Sequence, residues 1–164
     1  MKICFLAHDT NIATGGGRFA VSLINGLKNG GNTVTVLKEV GGEEDGLVVL
    51  KKGKMGVLFS VFRSLKYVSE CDIIHALDIY PYGIIAWISS FILRKKFVLT
   101  LLGTYSLDPL HRSSMTWISK MVCRRANAIT AISGFTKNEV ERIIGLSNIT
   151  VINPGIDFNK FYNT

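Results

Sequence analysis

The sequence predicts an α/β fold: a doubly wound parallel sheet with helices on both faces. The first observation behind this class is the apolar run at residues 2–7, KICFLA, which is typical of a parallel strand buried on both faces. The second is a change of period after Gly17. Apolar residues there recur on one stripe of a helix: Phe19, Ala20, Leu23, Ile24 and Leu27. Segments of these two kinds alternate along the chain, which implies right-handed βαβ units.

The remaining elements follow from short β-branched runs and longer striped segments. Gly30 and Gly31 end the first helix, because glycine adopts the left-handed conformation of a helix C-terminus without penalty. The further predicted strands are residues 33–37, 47–50, 72–76, 97–102, 128–132 and 149–152. The further predicted helices are residues 57–68, 82–93, 114–125 and 136–144. For the last helix we expect Thr136 as the N-cap, with Glu139 completing a capping box.

The predicted topology also indicates where a ligand binds. In doubly wound sheets, ligands lie beyond the carboxyl ends of the strands, where the strand order reverses. Five connecting segments end up at that edge: residues 8–17, 75–81, 102–112, 133–135 and 153–157. We expect the functional residues in these loops.

The composition argues against a disordered protein, a disulfide-stabilised domain and a zinc site. With 164 residues, 48% of them hydrophobic and 19% charged, the chain has the size and content of one ordered domain, residues 1–164. Three cysteines, Cys4, Cys71 and Cys123, lie far apart without metal-binding spacing. We therefore expect reduced thiols, no disulfide framework and no metal, as in a cytoplasmic protein.

The net charge of +7 has two interpretations. The basic residues are either scattered and solvated, or they attract phosphate-bearing substrates or an anionic membrane surface. The candidates for such a patch are Lys51, Lys52, Arg94, Lys95, Lys96, Arg124 and Arg125. The apolar segment 82–93 is shorter than the roughly 20 residues that span a bilayer, so it predicts a buried or surface-lying helix.

Three consecutive glycines, Gly15, Gly16 and Gly17, precede the first helical stripe. GGGRFA satisfies a dinucleotide fingerprint, with Glu39 placed to bind a ribose. However, HDTNIAT separates the glycines from the strand, whereas the fingerprint begins directly after it. A second hypothesis is an anion site at the helix N-terminus, assisted by Arg18. A third is a glycine-rich connection that only allows a tight turn.

Five segments resemble the N-terminal domain of retaining GT-B glycosyltransferases of family 4. In chain order they are TGGGRFAVSLINGLKNGGNTVTVL, CDIIHALDIYP, FVLTLLGTYSLD, ANAITAISGFTKNEV and ITVINPGIDFNKF. The resemblance implies a Rossmann-like, acceptor-side half of a two-domain enzyme. Residues 153–164 would then be the hinge to a C-terminal domain that carries the nucleotide-sugar pocket. We accordingly expect little or no catalysis by this chain alone, which is either truncated or half of a split enzyme.

The resemblance also implies roles for residues in the loops. Four residues would bind the donor diphosphate: Gly15, Gly16, Gly17 and Arg18. Four would lie on the acceptor or sugar side: Gly103, Thr104, Tyr105 and Ser133. Four would form the interdomain hinge: Asn153, Pro154, Gly155 and Asp157. No catalytic residue can be assigned.

Several residues keep two interpretations. Asp9 either binds an acceptor hydroxyl or caps its own loop. His75 is either an acceptor- or sugar-binding residue or a core histidine with its hydrogen bonds satisfied. The family commonly has a histidine that contacts the donor sugar where this sequence has Leu102. His111, in the same loop, either replaces that histidine or is a surface residue.

The first functional hypothesis is a metal-independent, cofactor-free glycosyltransferase domain acting on cell-envelope polysaccharide. Its partners would be a nucleotide-sugar donor and a saccharide or lipid-linked acceptor, in the cytoplasm and at the inner face of the membrane. A homodimer is compatible with this hypothesis, and no nucleic-acid partner is expected. The alternatives are a non-catalytic, partner-dependent half of a split transferase and a stand-alone dinucleotide-binding protein.

Overall fold

The computed structural model describes residues 1–42, 46–51 and 53–155. Within these residues, seven parallel strands form one sheet in the order β3-β2-β1-β4-β5-β6-β7. The strands are β1 (Lys2–Ala7), β2 (Thr33–Lys38), β3 (Leu47–Val48), β4 (Ile73–Leu77), β5 (Lys96–Leu101), β6 (Ala128–Ala131) and β7 (Ile149–Val151). The order reverses between β1 and β4, so the predicted doubly wound parallel sheet is confirmed.

The helices lie on both faces of this sheet, as predicted. They are α1 (Gly15–Asn29), α2 (Lys54–Ser69), α3 (Ile84–Leu93), α4 (Thr104–His111), α5 (Ser113–Arg125) and α6 (Gly134–Ile144). An irregular turn, Ile79–Gly83, in which Tyr80 has extended backbone angles, leads into α3. These connections place every helix between two parallel strands or beside one, which is the arrangement of βαβ units.

The two faces of the sheet are covered very unequally. Alternate residues of β1 point to opposite faces: Cys4 and Leu6 join the large core under α2, α3 and α5, whereas Phe5 and Ala7 join a smaller cluster. Among the described helices, α1 alone contributes to that smaller cluster. The large core therefore stabilises most of the domain, and the α1 side is thinly covered.

Beyond α1, the thinly covered face carries a row of polar side chains across three strands. His75 Nε2 lies 2.8 Å from Thr100 Oγ1, which lies 2.8 Å from Thr130 Oγ1. The ring of Phe5 meets His75 edge-on, with centroids 5.2 Å apart. The row bridges neighbouring strands by side chains in addition to the backbone ladder.

One helix was not predicted. α4 lies inside the segment 102–112, which the sequence analysis assigned to a connecting loop. Proline is disfavoured in a helix interior, and an isolated eight-residue helix is marginal in water. Burial of Leu107 and Leu110 in the large core stabilises it in spite of this local propensity.

Several predicted boundaries were wrong. The segment 47–50 is a strand only over Leu47–Val48, and the helix predicted at 82–93 begins at Ile84. At the end of α1 it is Gly31, with φ +78°, that takes the left-handed conformation, whereas Gly30 has φ −75°. The remaining strands and helices lie within three residues of their predicted bounds.

The predicted cap of α6 was also wrong. The N-cap is Ser133, whose Oγ accepts a hydrogen bond from the Thr136 N–H at 3.2 Å. Glu139 pairs with Arg142 at 2.8 Å and takes no part in a capping box. The helix begins at Gly134, earlier than predicted, because the serine before it provides the side-chain acceptor that the first turn needs.

Candidate substrate-binding cleft

An open cleft of about 1830 Å³ lies at the carboxyl edge of the sheet, at the reversal of strand order. Its walls are the loop after β1, one face of α1 along its whole length, the turn after β4, α4 with the beginning of α5, and residues 152–155. Four of the five loops predicted to border a site contribute to it. The expectation that a ligand site lies beyond the carboxyl ends of the strands therefore agrees with the position of this cleft.

The loop after β1 is held by hydrogen bonds among its own residues. Asp9 is buried, and its Oδ1 accepts from the Asn11 N–H at 2.8 Å and from the Thr14 hydroxyl at 3.1 Å. Thr14 is the N-cap of α1, and its Oγ1 accepts from the Gly17 N–H at 3.0 Å. Of the two interpretations of Asp9, this geometry supports the loop cap, although the residue also lines the cleft.

The three glycines are the first three residues of α1, not part of a longer loop before it. Gly17 is buried, and a Cβ there would lie 2.2 Å from both Asn11 O and Asp9 Oδ1. At Gly15 and Gly16 a Cβ would meet nothing within 4 Å, and both residues line the cleft. Gly17 therefore allows the loop to pack on the helix, whereas Gly15 and Gly16 leave the helix N-terminus open to the cleft.

Arg18 also lines the cleft and is exposed. Its Nε donates to the Ile12 carbonyl oxygen at 3.1 Å, which holds the stem of the side chain against the loop. The guanidinium of arginine carries five N–H donors in a planar fork suited to phosphate oxygens. Together with the positive end of the α1 dipole, Arg18 makes this wall of the cleft suited to an anion.

Opposite this wall, a buried carboxylate that the sequence analysis missed forms a corner between β4 and α4. Asp78 has φ +66° and accepts hydrogen bonds from the Leu102 N–H, at 3.1 Å, and from the Ser106 hydroxyl. Burial raises the pKa of Asp78 to about 6, and the two hydrogen bonds oppose that shift. Leu102, at the position of the expected histidine, lines the cleft with its backbone fixed to this corner.

A second polar cluster lies between the loop after β1 and the turn after β4. The Tyr82 hydroxyl donates to Glu39 Oε2 at 2.6 Å and lies 3.1 Å from His8 Nδ1. Burial, and then the hydrogen bond to Glu39, raise the pKa of Tyr82 far above its usual value. Glu39, which the dinucleotide hypothesis assigned to a ribose, is engaged by Tyr82.

His75 lies outside the open cleft. It lines a small cavity of about 80 Å³ together with Phe19, Leu23, Thr100, Thr130 and Ile152. Burial lowers the pKa of His75 to about 4, so the ring is neutral near pH 7. Its hydrogen bond to Thr100 supports the interpretation as a satisfied histidine of the sheet face.

The predicted acceptor-side residues are not all brought together. Gly103 precedes α4 with φ +79°, Thr104 is the first residue of α4, and Tyr105 is 74% exposed and lines the cleft. Ser133 caps α6 and does not line the cleft. His111 is exposed at the end of α4, also outside the cleft lining.

Three of the four predicted hinge residues border the cleft. Asn153, Pro154 and Gly155 are exposed, and the Asn153 side chain donates to the Ile132 carbonyl oxygen at 3.1 Å. Asp157 lies outside the described residues. The segment after β7 is thus fixed to the loop after β6 while it forms part of the cleft wall.

Two further findings concern the described residues only. In residues 1–42, 46–51 and 53–155, no group of three or more His, Cys, Asp or Glu side chains is arranged to hold a metal ion. No helix in this part of the chain has the length and apolarity needed to cross a membrane.

A doubly wound parallel sheet with an open cleft at its carboxyl edge, where the order of the strands reverses, defines a Rossmann-like domain. Residues 13–160 match the model of glycosyltransferase family 4, and the chain belongs to this family. Among curated proteins, none matches this chain significantly in sequence.

Several solved structures share this fold. HepE of Anabaena, in complex with UDP, superposes with a TM-score of 0.77 at 21% identity over 97% of this chain and 45% of that chain. A glycosyltransferase from Rickettsia africae superposes with a TM-score of 0.65 at 18% identity, over 98% of this chain and 45% of that one. An α-glucosyltransferase in complex with UDP and DNA gives a TM-score of 0.59 at 15% identity, over 98% and 44%. The chain therefore spans less than half the length of these proteins.

Proposed function

We propose that this domain is the acceptor-side half of a retaining glycosyltransferase. The reaction would move a sugar from a nucleotide-sugar donor to a saccharide or lipid-linked acceptor of cell-envelope polysaccharide. The observation that carries this proposal is the N-terminus of α1, which Gly15 and Gly16 leave open to the cleft in a domain of glycosyltransferase family 4.

The donor diphosphate would lie against the first turn of α1. A phosphate oxygen can approach Gly15 and Gly16 closely because no side chain intervenes, and the unpaired N–H groups of a helix N-terminus point at such a ligand. Loss of a nucleotide diphosphate leaves negative charge on the leaving group. The helix dipole and Arg18 supply positive charge there without reorganisation, so the proposal requires no metal or other cofactor.

Tyr105 and the residues after β7 would contact the acceptor. Tyr105 projects into the cleft from the first turn of α4, and an exposed aromatic ring there can pack on a sugar. The Asp78 corner fixes the backbone of Leu102 next to it. Without a side-chain donor at Leu102, this domain would position the donor sugar through neighbouring backbone groups.

The matching structures are about twice as long as this chain, and those of HepE are complexes with UDP and with UDP-glucose. We propose that the nucleotide is bound mainly by a second domain that faces this cleft. The chain alone would then bind a diphosphate weakly and transfer little or no sugar. Whether that second domain is continuous with this chain or a separate subunit does not change the role of α1.

A direct test is a calorimetric titration of the chain with inorganic pyrophosphate and with UDP-glucose. We expect weak binding that Arg18→Ala reduces about tenfold, equivalent to roughly 1.4 kcal/mol. Gly16→Val should weaken it similarly by blocking the first turn of α1. The matched control is Arg142→Ala, because Arg142 is exposed on α6 and pairs only locally with Glu139. If both ligands bind the Arg18 and Gly16 variants as well as the wild type, the proposed donor side is wrong.

The dinucleotide alternative has less support. α1 begins eight residues after the end of β1, and the candidate ribose acid Glu39 accepts a hydrogen bond from Tyr82. Calorimetric titration of the chain with NADH and with NADPH tests this alternative. Submillimolar affinity for either would favour the dinucleotide function over the transferase function.

A further inference from the structure

One surface of the domain is markedly apolar although it lies away from the cleft floor. On α2, Met55, Leu58, Phe59 and Phe62 are each between 49% and 78% exposed. They follow helical spacing and form the outward face, because Val57, Val61 and Val68 on the opposite side are buried. Scattered exposed apolar residues are ordinary, but a contiguous stripe marks an interaction site.

The neighbouring helix α3 adds two exposed apolar side chains to this side of the domain. α2 and α3 pack side by side in the same direction: Ser64 Oγ lies 3.2 Å from Ser89 Oγ, and Lys95 Nζ donates to the Ser69 carbonyl oxygen at 3.2 Å. In the last turn of α3, Phe91 is 77% and Ile92 is 51% exposed. The α2–α3 surface is defined by these residues: Met55, Leu58, Phe59, Phe62, Phe91 and Ile92.

The two segments that carry this surface have charges of one sign. Residues 51–69 and 84–96 contain eight of the chain's 19 Lys and Arg residues and none of its 12 Asp and Glu residues. Two of the cations lie over an exposed ring of the surface: Arg63 and Lys51 are 5.5 and 5.7 Å from the centroid of Phe59. The nearest acids in sequence, Glu70 and Asp72, follow the end of α2. Apolar side chains rimmed by cations complement the headgroup region of an anionic bilayer.

We propose that the α2–α3 surface docks on an anionic lipid membrane. Phe59, Phe62 and Phe91 would enter the boundary between headgroups and acyl chains, while Arg63, Lys66 and Arg94 contact lipid phosphates. Docking would be peripheral, because none of the helices that the structure describes is long and apolar enough to cross a bilayer. A second copy of this chain would be a poorer occupant, because pairing the surface with itself would bring cations against cations.

The surface also adjoins the cleft. The Gly53 N–H, at the start of α2, donates to the Tyr80 hydroxyl at 3.1 Å, and Tyr80 lines the cleft. A domain docked by α2 and α3 would therefore hold the cleft mouth next to the membrane. This last step rests on the proposed function, since a lipid-linked acceptor could then reach the cleft without leaving the bilayer.

The test is co-sedimentation of the purified chain with two kinds of vesicle, phosphatidylcholine alone and phosphatidylcholine mixed with phosphatidylglycerol. We expect binding to the mixed vesicles that decreases with salt, and little binding to the neutral ones. Phe59→Ser with Phe62→Ser, and Arg63→Glu with Lys66→Glu, should each lower the partition coefficient at least about tenfold. The control is Phe135→Ser, a 69% exposed aromatic on α6, which should bind like the wild type.

Circular dichroism and thermal unfolding establish that each variant is folded. The proposal is overturned if folded wild-type chain does not sediment with anionic vesicles, or if the Phe59 and Phe62 variant binds them as well as the wild type. It is also overturned if solution mass measurements show a dimer that the same variant abolishes while vesicle binding is absent. Pyrophosphate titration is a separate measurement, so a failure of the donor site and a failure of membrane docking are distinguishable.

Discussion

The loop after β1, residues 8–14 with the first turn of α1, and the corner at Asp78 border the same cleft, but their hydrogen bonds span very different lengths of chain. In the loop, the bonds of Asp9, Thr14 and Arg18 join residues two to six apart in sequence. At the corner, Asp78 is bonded to Leu102 and Ser106, 24 and 28 residues away. One wall is built from local contacts, and the other forms only when β4 and α4 are packed together.

This difference gives the polar groups of the two walls different environments. The local loop satisfies its own carboxylate and hydroxyl groups, so contacts among residues 9–18 fix the N-terminus of α1. The long-range corner instead buries a carboxylate whose charged form is penalised. Stability at the corner should respond to pH, and stability at the loop should respond to the volume of single side chains.

The largest expected effect is in the pH dependence of stability. Burial raises the pKa of Asp78 from 3.8 to about 6, so the folded protein binds more protons than the unfolded chain, and stability falls as the pH rises through this window. Burial lowers the pKa of His75 from 6.5 to about 4, so stability rises over nearly the same window. Each shift is worth about 3 kcal/mol, and the two should largely cancel in the wild type.

Urea denaturation between pH 4 and pH 7 measures this cancellation. Asp78→Asn should leave a rise of about 3 kcal/mol with pH, and His75→Gln a fall of similar size. Asp108→Asn, at an exposed position on α4, is the control and should keep the wild-type profile. If the Asp78 and His75 variants both keep that profile, the corner does not hold a penalised carboxylate.

The next effect tests the local loop. Gly17→Ala places a Cβ 2.2 Å from Asn11 O and Asp9 Oδ1, so the backbone has to move, and we expect a loss of about 2 kcal/mol in the free energy of unfolding. The matched control is Gly16→Ala, where the Cβ meets nothing. Alanine in a helical position should there raise stability by about 0.5–1 kcal/mol. Equal effects at both glycines would show that the loop does not pack on α1 as described.

A smaller effect tests the link between the two walls. The Tyr82 hydroxyl joins Glu39 to His8, so Tyr82→Phe removes a buried bridge and should cost about 1–2 kcal/mol. Thermal unfolding of Tyr105→Phe, an exposed tyrosine in the same cleft, should differ from the wild type by less than about 0.5 kcal/mol. A Tyr82→Phe variant as stable as Tyr105→Phe would mean that the walls are not coupled through this hydroxyl.

The same distinction between local and long-range contacts explains what the sequence could predict. The apolar patterns of β1 and α1 repeat within a few residues and can be recognised locally. The fold class and most elements were therefore predicted correctly. α4 was missed because burial of Leu107 and Leu110 overrides an unfavourable proline. The N-cap of α6 was placed three residues late because Ser133 and Thr136 are both suitable caps, and local sequence does not decide between them.

For the site, the carboxyl-edge loops could be predicted, but the side chains that meet there could not. Asp78 and Tyr82 carry no local signal, because their partners come from strands and helices far along the chain. The glycine run predicted a close approach without dividing the roles. The structure distinguishes Gly17, which packs against the preceding loop, from Gly15 and Gly16, which face the cleft.

The polar row of His75, Thr100 and Thr130 determines what can pack on the thinly covered face of the sheet. Threonine favours strands because it is β-branched, and its hydroxyl gives this face of the sheet a polar group. Because the three side chains already bond one another, another protein element could cover them without stranding a hydroxyl. A further protein element could therefore pack on this part of the sheet without loss of these hydrogen bonds.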